Sequence, residues 1–136
     1  MFKKICFAVL IIFLHFSSMA QTQQSKIYPV VLQFQSECCG VPSDSSLKLY
    51  VQTFRKKYKI KKQLKAVHIG PMGKEGEYWL AFSLKELNDN QCSVFIEQLK
   101  AIVVTLKDPG SVNLVENMTV EPSELPSRAT SEIECF

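Results

Sequence analysis

The chain has 136 residues, 46% of them hydrophobic, with 16 Lys and Arg against 13 Asp and Glu, a net charge of +3. That hydrophobic share excludes a disordered polyampholyte, and the length provides one domain with a real core but hardly two. Two of the basic residues, Lys3 and Lys4, belong to a segment expected to be removed, which leaves 14 against 13 and a nearly neutral working protein.

That segment comes first. Lys3-Lys4 precede an apolar run from Ile5 to Phe16, then Ser17-Ser18-Met19-Ala20 give way to Gln21-Thr22-Gln23-Gln24. A basic start, a short apolar core, small residues and a polar continuation are the layout of a secretory signal over residues 1–20. The run is too short to span a bilayer comfortably, and no later stretch is long enough. The expectation is an exported protein, periplasmic or secreted, with no transmembrane segment after cleavage.

Residues 21–26 read as a flexible leader and 27–120 as the folded domain. From Tyr28 to Ser36, Val30, Leu32 and Phe34 alternate with Val31, Gln33 and Gln35, which predicts a half-buried strand with Pro29 at its beginning. Glu37 to Ser43 is a loop carrying Cys38 and Cys39. Ser43, Asp44 or Ser45 caps a helix whose apolar face is Leu47, Tyr50, Val51, Phe54 and Tyr58. Gln63 to Ile69 and Glu77 to Leu84 read as strands joined by the turn-rich Gly70-Pro71-Met72-Gly73. A second helix, capped by Asn88 or Asp89, presents Phe95, Leu99, Ile102, Val103 and Leu106 and stops at Asp108-Pro109-Gly110. Val112 to Val120 is a fourth strand, and residues 121–136 read as a polar tail.

Strand, helix, strand, strand, helix, strand is the ferredoxin-like βαββαβ order. It predicts an α+β fold with a four-stranded antiparallel sheet, order 4-1-3-2, and both helices on one face. The second and fourth strands are then edges, and either is a route to a homodimer.

Four cysteines survive signal removal: Cys38, Cys39, Cys92 and Cys135. An even count in an exported chain suggests disulfides, with Cys38 or Cys39 expected to bond Cys92 or Cys135. The topology also permits Cys92 and Cys135 to meet at the lower end of the sheet. Thiolates with thioether and imidazole suit a soft metal, so Cys38, Cys39, Met72 and His68 form an alternative copper or zinc site, and the two thiols an alternative redox pair. The position of Cys38-Cys39, between the first strand and first helix, resembles the metal loop of heavy-metal-associated domains. That family separates its cysteines by two residues after a Gly-Met, whereas here they are adjacent and follow Ser36-Glu37.

Arg55, Lys56, Lys57, Lys59, Lys61, Lys62 and Lys65 place seven cations in eleven residues, a candidate patch for an anionic partner. Export and the lack of a stacking-aromatic strand signature argue against nucleic acid. Glutamates of the tail, Glu121, Glu124, Glu132 and Glu134, are an internal alternative for covering the patch. No general base or nucleophile constellation points to an enzyme, and no cofactor is implied. The reading is a small exported binding or structural module, with the thiol site as the alternative.

Overall fold

A computed structural model describes residues 25–136. The expected signal segment and most of the leader lie outside the described residues. The elements are β1 (Lys26–Ser36), α1 (Ser45–Lys57), β2 (Lys65–Gly70), β3 (Tyr78–Phe82), α2 (Asp89–Val103), β4 (Gly110–Val120), a short 3-10 turn (Pro122–Glu124) and β5 (Thr130–Cys135). The fold is α+β, with two helices and one antiparallel sheet of five strands in the order β4-β1-β3-β2-β5.

Five strands rather than four is the main correction. Residues 121–136 are not a loose polar tail. β5 pairs along β2 from Lys65↔Cys135 to Gly70↔Thr130, so β2 is interior and the sheet edges are β4 and β5. Phe136, just past β5, donates its N–H to Leu64 O at 2.9 Å and seats its ring 5.5 Å from that of Phe82.

The alternation of β1 decides how the layers form. Val30, Leu32 and Phe34 are buried with Leu47, Val51 and Phe54 of α1 and Phe95 and Leu99 of α2. Val31 faces the other way and packs with Ile69, Ala81 and Val120, with Trp79 and Leu125 against them. A strand apolar on both faces must be central, and β1 is flanked by β4 and β3. At Pro29 the ladder to β4 is interrupted opposite Asn117, whose φ is 51°, and the alternation changes face: Tyr28 packs with Val31 although Val30 packs with Leu32. Proline has no N–H to give the ladder, and the irregularity falls where that donor is missing.

Helix starts follow local chemistry. Asn88 caps α2 through a capping box: its side chain accepts from Gln91 N at 2.9 Å, and Gln91 Oε1 accepts from Asn88 N at 3.1 Å. α1 starts after Asp44, whose side chain makes no capping bond and pairs with Lys48 at 2.8 Å instead. No helix among the described residues is long and apolar enough to cross a membrane.

The row Val30, Phe82, Ala66, Glu134 runs across four strands near the lower end of the sheet, where β1 begins. β4 descends to this end at Val120, whereas β5 starts at the upper end opposite Gly70. The chain between them therefore climbs the face away from the helices. Leu125 packs on it there, and Arg128 donates to Gly73 O in the β2–β3 turn.

Candidate functional site: a basic groove between α1 and β5

The stripe Lys48, Gln52, Arg55, Lys56, Lys59 recurs at intervals of four, three, one and three residues, which places it on one flank of α1 and its C-terminal cap. β5 extends the sheet beside that flank. A groove of about 800 Å³ lies between them, walled by the stripe, closed below by Lys61 and Gln63, and floored by Glu134 and Phe136.

The cations differ in what they hold. Arg55 is committed to the fold: its guanidinium donates to Phe136 O at 2.7 Å, Lys62 O at 3.0 Å and Lys61 O at 3.5 Å. It clamps the end of β5 to the loop after α1. Lys48 bonds Asp44, and that hydrogen bond is the main cause of its raised pKa, with the charge of Glu134 contributing weakly. Among the described residues, no carboxylate pairs with Lys56, Lys59 or Lys61, and all three are exposed.

Lys59 is held in an uncommon backbone state, φ 53°. Its N–H donates to Lys56 O at 3.3 Å and the next, Ile60 N–H, to Arg55 O at 2.9 Å, the paired bonds that end a helix in a left-handed residue. Glycine normally takes that position because a Cβ is strained there. A lysine there carries a conformational cost that its backbone bonds do not require, and its charge stands at the groove.

Of the seven cations expected to form one patch, the groove gathers Arg55, Lys56, Lys59 and Lys61. Lys57 lies over the Tyr58 ring, 5.5 Å from its centroid. Lys62 pairs with Glu86 at 3.0 Å, and Lys65 shares the face of Val67 and Ile69, away from the helices. Of the glutamates considered as an internal cover, Glu134 lines the groove, while Glu121 and Glu124 belong to the segment that climbs the opposite face. Lys48 and the strand that carries Glu134 escaped the sequence reading. The stripe containing Lys48 was a possible signal, as was the weak alternation of Ile133 and Cys135 for β5.

The cysteines do not converge. Among the described residues no disulfide is at bonding distance, and all four of these cysteines are free. Cys38 and Cys39 sit past the upper end of β1, with Cys38 Sγ 4.0 Å from Pro109 O. Cys92 lies at the lower end, its Sγ 3.8 Å from Leu84 O, and Cys135 closes the lower end of β5. Val30 to Ser36 alone spans about 20 Å at about 3.3 Å per residue, far beyond the reach of a disulfide. The expected bond from Cys38 or Cys39 to Cys92 or Cys135 is therefore absent for a geometric reason. The segment after β4 does climb, but β5 brings Cys135 back down. Cys135 also shares the face of Lys65 and Val67, so the sheet separates it from Cys92 on α2.

The alternative soft-metal set is likewise dispersed. His68 stacks on Tyr78 on the helix side, rings 4.6 Å apart, whereas Met72 packs against the opposite face. No group of three or more His, Cys, Asp or Glu among the described residues is arranged to hold a metal ion. Hydrogen bonding to Cys39, then slight desolvation and the charges of Cys39, Asp108 and Glu37, push the Cys38 thiol up from its ordinary value, the opposite of an activated thiolate.

No family model matches the chain, and no curated protein or solved structure shows significant similarity to it.

Proposed function

We propose that this chain is a small exported binding module that captures an anionic ligand in the basic groove. Its frame is a ferredoxin-like βαββαβ unit to which β5 is added as an edge strand, and β5 supplies the second wall of the groove. The observation that carries the reading is the set Lys56, Lys59 and Lys61: three cations without carboxylate partners at one concave surface, one of them in a backbone conformation that glycine would adopt more easily. Charge left uncompensated in a recess attracts anions by focusing the local field. Export is the part of the proposal that rests on Lys3-Lys4, the apolar run and the small residues before Gln21.

Titration calorimetry with sodium tripolyphosphate tests the groove. The parent chain binds, and the affinity falls as salt rises. Joint replacement Lys56→Gln, Lys59→Gln and Lys61→Gln lowers the affinity roughly tenfold or more, at a few tenths to one kcal/mol per exposed charge. Equal binding by parent and triple variant would sink the reading.

The competing reading, thiol exchange or soft-metal handling at Cys38 and Cys39, has their exposure in its favour. The raised Cys38 pKa and the placement of His68 and Met72 on opposite faces of the sheet weigh against it.

A further inference from the structure

The two edges of the sheet are finished differently. The pairing of β4 is interrupted at Asn117, whose φ is 51°, and its Glu116 is tied to Lys100 at 2.8 Å. An irregularity of that kind twists an edge away from further pairing. β5 has no such break, and its sequence, Thr130-Ser131-Glu132-Ile133-Glu134-Cys135, contains neither proline nor lysine. Ile133 lies across from Val67 on the face away from the helices, yet it is 69% exposed.

The ladder fixes which backbone groups of β5 are free. Phe136 N–H donates to Leu64 O, and bonded pairs alternate along an antiparallel ladder, so Glu134, Glu132 and Thr130 turn their N–H and C=O toward β2. Ser131, Ile133 and Cys135 turn theirs outward, where no strand among the described residues pairs with them. These three residues, centred on Ile133, are self-complementary. A second copy related by a twofold axis at Ile133 pairs Ile133 with Ile133 and Ser131 with Cys135, and none of the outward groups is left over. The two exposed isoleucine side chains then meet as a directly opposed pair. Sliding the register in either direction leaves outward groups unpaired and parts the isoleucines.

Charge agrees with this register. It sets Glu132 of each copy opposite Glu134 of the other, on the helix side. Glu134 lines the groove of Lys56, Lys59 and Lys61, so the incoming Glu132 arrives beside cations that have no carboxylate partner among the described residues. The two opposed carboxylates repel each other, and the three lysines outnumber them.

We infer that the partner of the β5 edge is a second copy of this chain, joined β5 to β5 about a twofold axis at Ile133, which sets the two basic grooves side by side. The inference goes beyond the groove's own ligand and does not depend on it.

Disulfide trapping tests it, on the full chain carrying Cys38→Ser, Cys39→Ser and Ser131→Cys. Opposed residues of a bonded pair lie about 5.5 Å apart at Cα, within disulfide reach. Positions 131 and 135 of one strand lie about 13 Å apart, at about 3.3 Å per residue, which is out of reach. Oxidation by copper phenanthroline therefore yields a covalent dimer, and peptide mapping finds the introduced thiol joined to Cys135. The same chain without Ser131→Cys links at background rate, because the two Cys135 thiols sit at opposite ends of the strand pair. Adding Ile133→Pro removes an outward N–H and no bond to β2, so linkage slows about tenfold or more while the chain stays folded. Ile133→Glu, which leaves the backbone as it is and sets like charges face to face, slows linkage likewise. Linkage no faster than in the Ile133→Pro and Ile133→Glu chains overturns the inference. So does a junction other than the introduced thiol with Cys135, or equally fast linkage without Ser131→Cys. These outcomes leave the groove standing, since tripolyphosphate titration decides it separately.

Discussion

At the upper end of the sheet, Cys38 and Cys39 are neighbours in sequence yet gather no partner. At the lower end, Lys48, Lys61 and Glu134 come from a helix, a loop and the last strand and share one recess. The difference lies in how each end is built. The upper corner is a loop tied by Gly40 N donating to Ser36 Oγ at 3.2 Å and by the Cys38–Pro109 approach. The groove is made by elements that the core itself holds in place: α1 through Leu47, Val51 and Phe54, and β5 through Phe136 and the Arg55 clamp. Chemistry placed by core packing is positioned; chemistry placed by adjacency alone is merely near.

The sharpest way to break this contrast is at Phe136. Phe136→Ala empties a core site beside Phe82 and costs about 3–5 kcal/mol in denaturant unfolding. A loss below about 1 kcal/mol would mean that β5 is not anchored and the groove has no second wall. Lys59→Gly is expected to act in the other direction and more gently. Removing a Cβ from the left-handed position adds about 0.5–1 kcal/mol of stability. The same change weakens tripolyphosphate binding. Gained stability with unchanged affinity would show that Lys59 is not at the site. The smallest effect belongs to the upper corner: Cys38→Ser together with Cys39→Ser shifts stability by no more than about 0.5 kcal/mol, since both thiols are exposed and neither forms a disulfide. A shift of several kcal/mol would reveal a disulfide and make this corner as deeply built in as the groove.

The same contrast explains what was readable beforehand. β1, α1 and α2 showed strong periodicity because each buries a full apolar face, so their order and the sequence 4-1-3-2 within the sheet were legible. β5 was not, because an edge strand with solvent on both sides of most residues needs few apolar positions. Thr130–Cys135 offers Ile133, itself exposed, and the decisive residue, Phe136, lies one position beyond the strand. The cation run from Arg55 to Lys65 was visible. Its division into a clamp (Arg55), an ion pair (Lys62 with Glu86) and unpartnered amines depends on contacts that spacing does not encode. Cysteine count suggested bonds that the length of β1 forbids.

The pairing of β1 with β4 has a temporal side. Lys26 must wait for Val120, and Ser36 for Gly110, before the central strand has its outer neighbour, and Leu64 must wait for Phe136 before the core is sealed. Contacts this distant along the chain close late and slowly. During synthesis the apolar strand from Val30 to Phe34 therefore emerges long before its β4 neighbour, and the Leu64–Phe136 closure forms last. A chain held open that long stays threadable, which is the state that the proposed export would draw on.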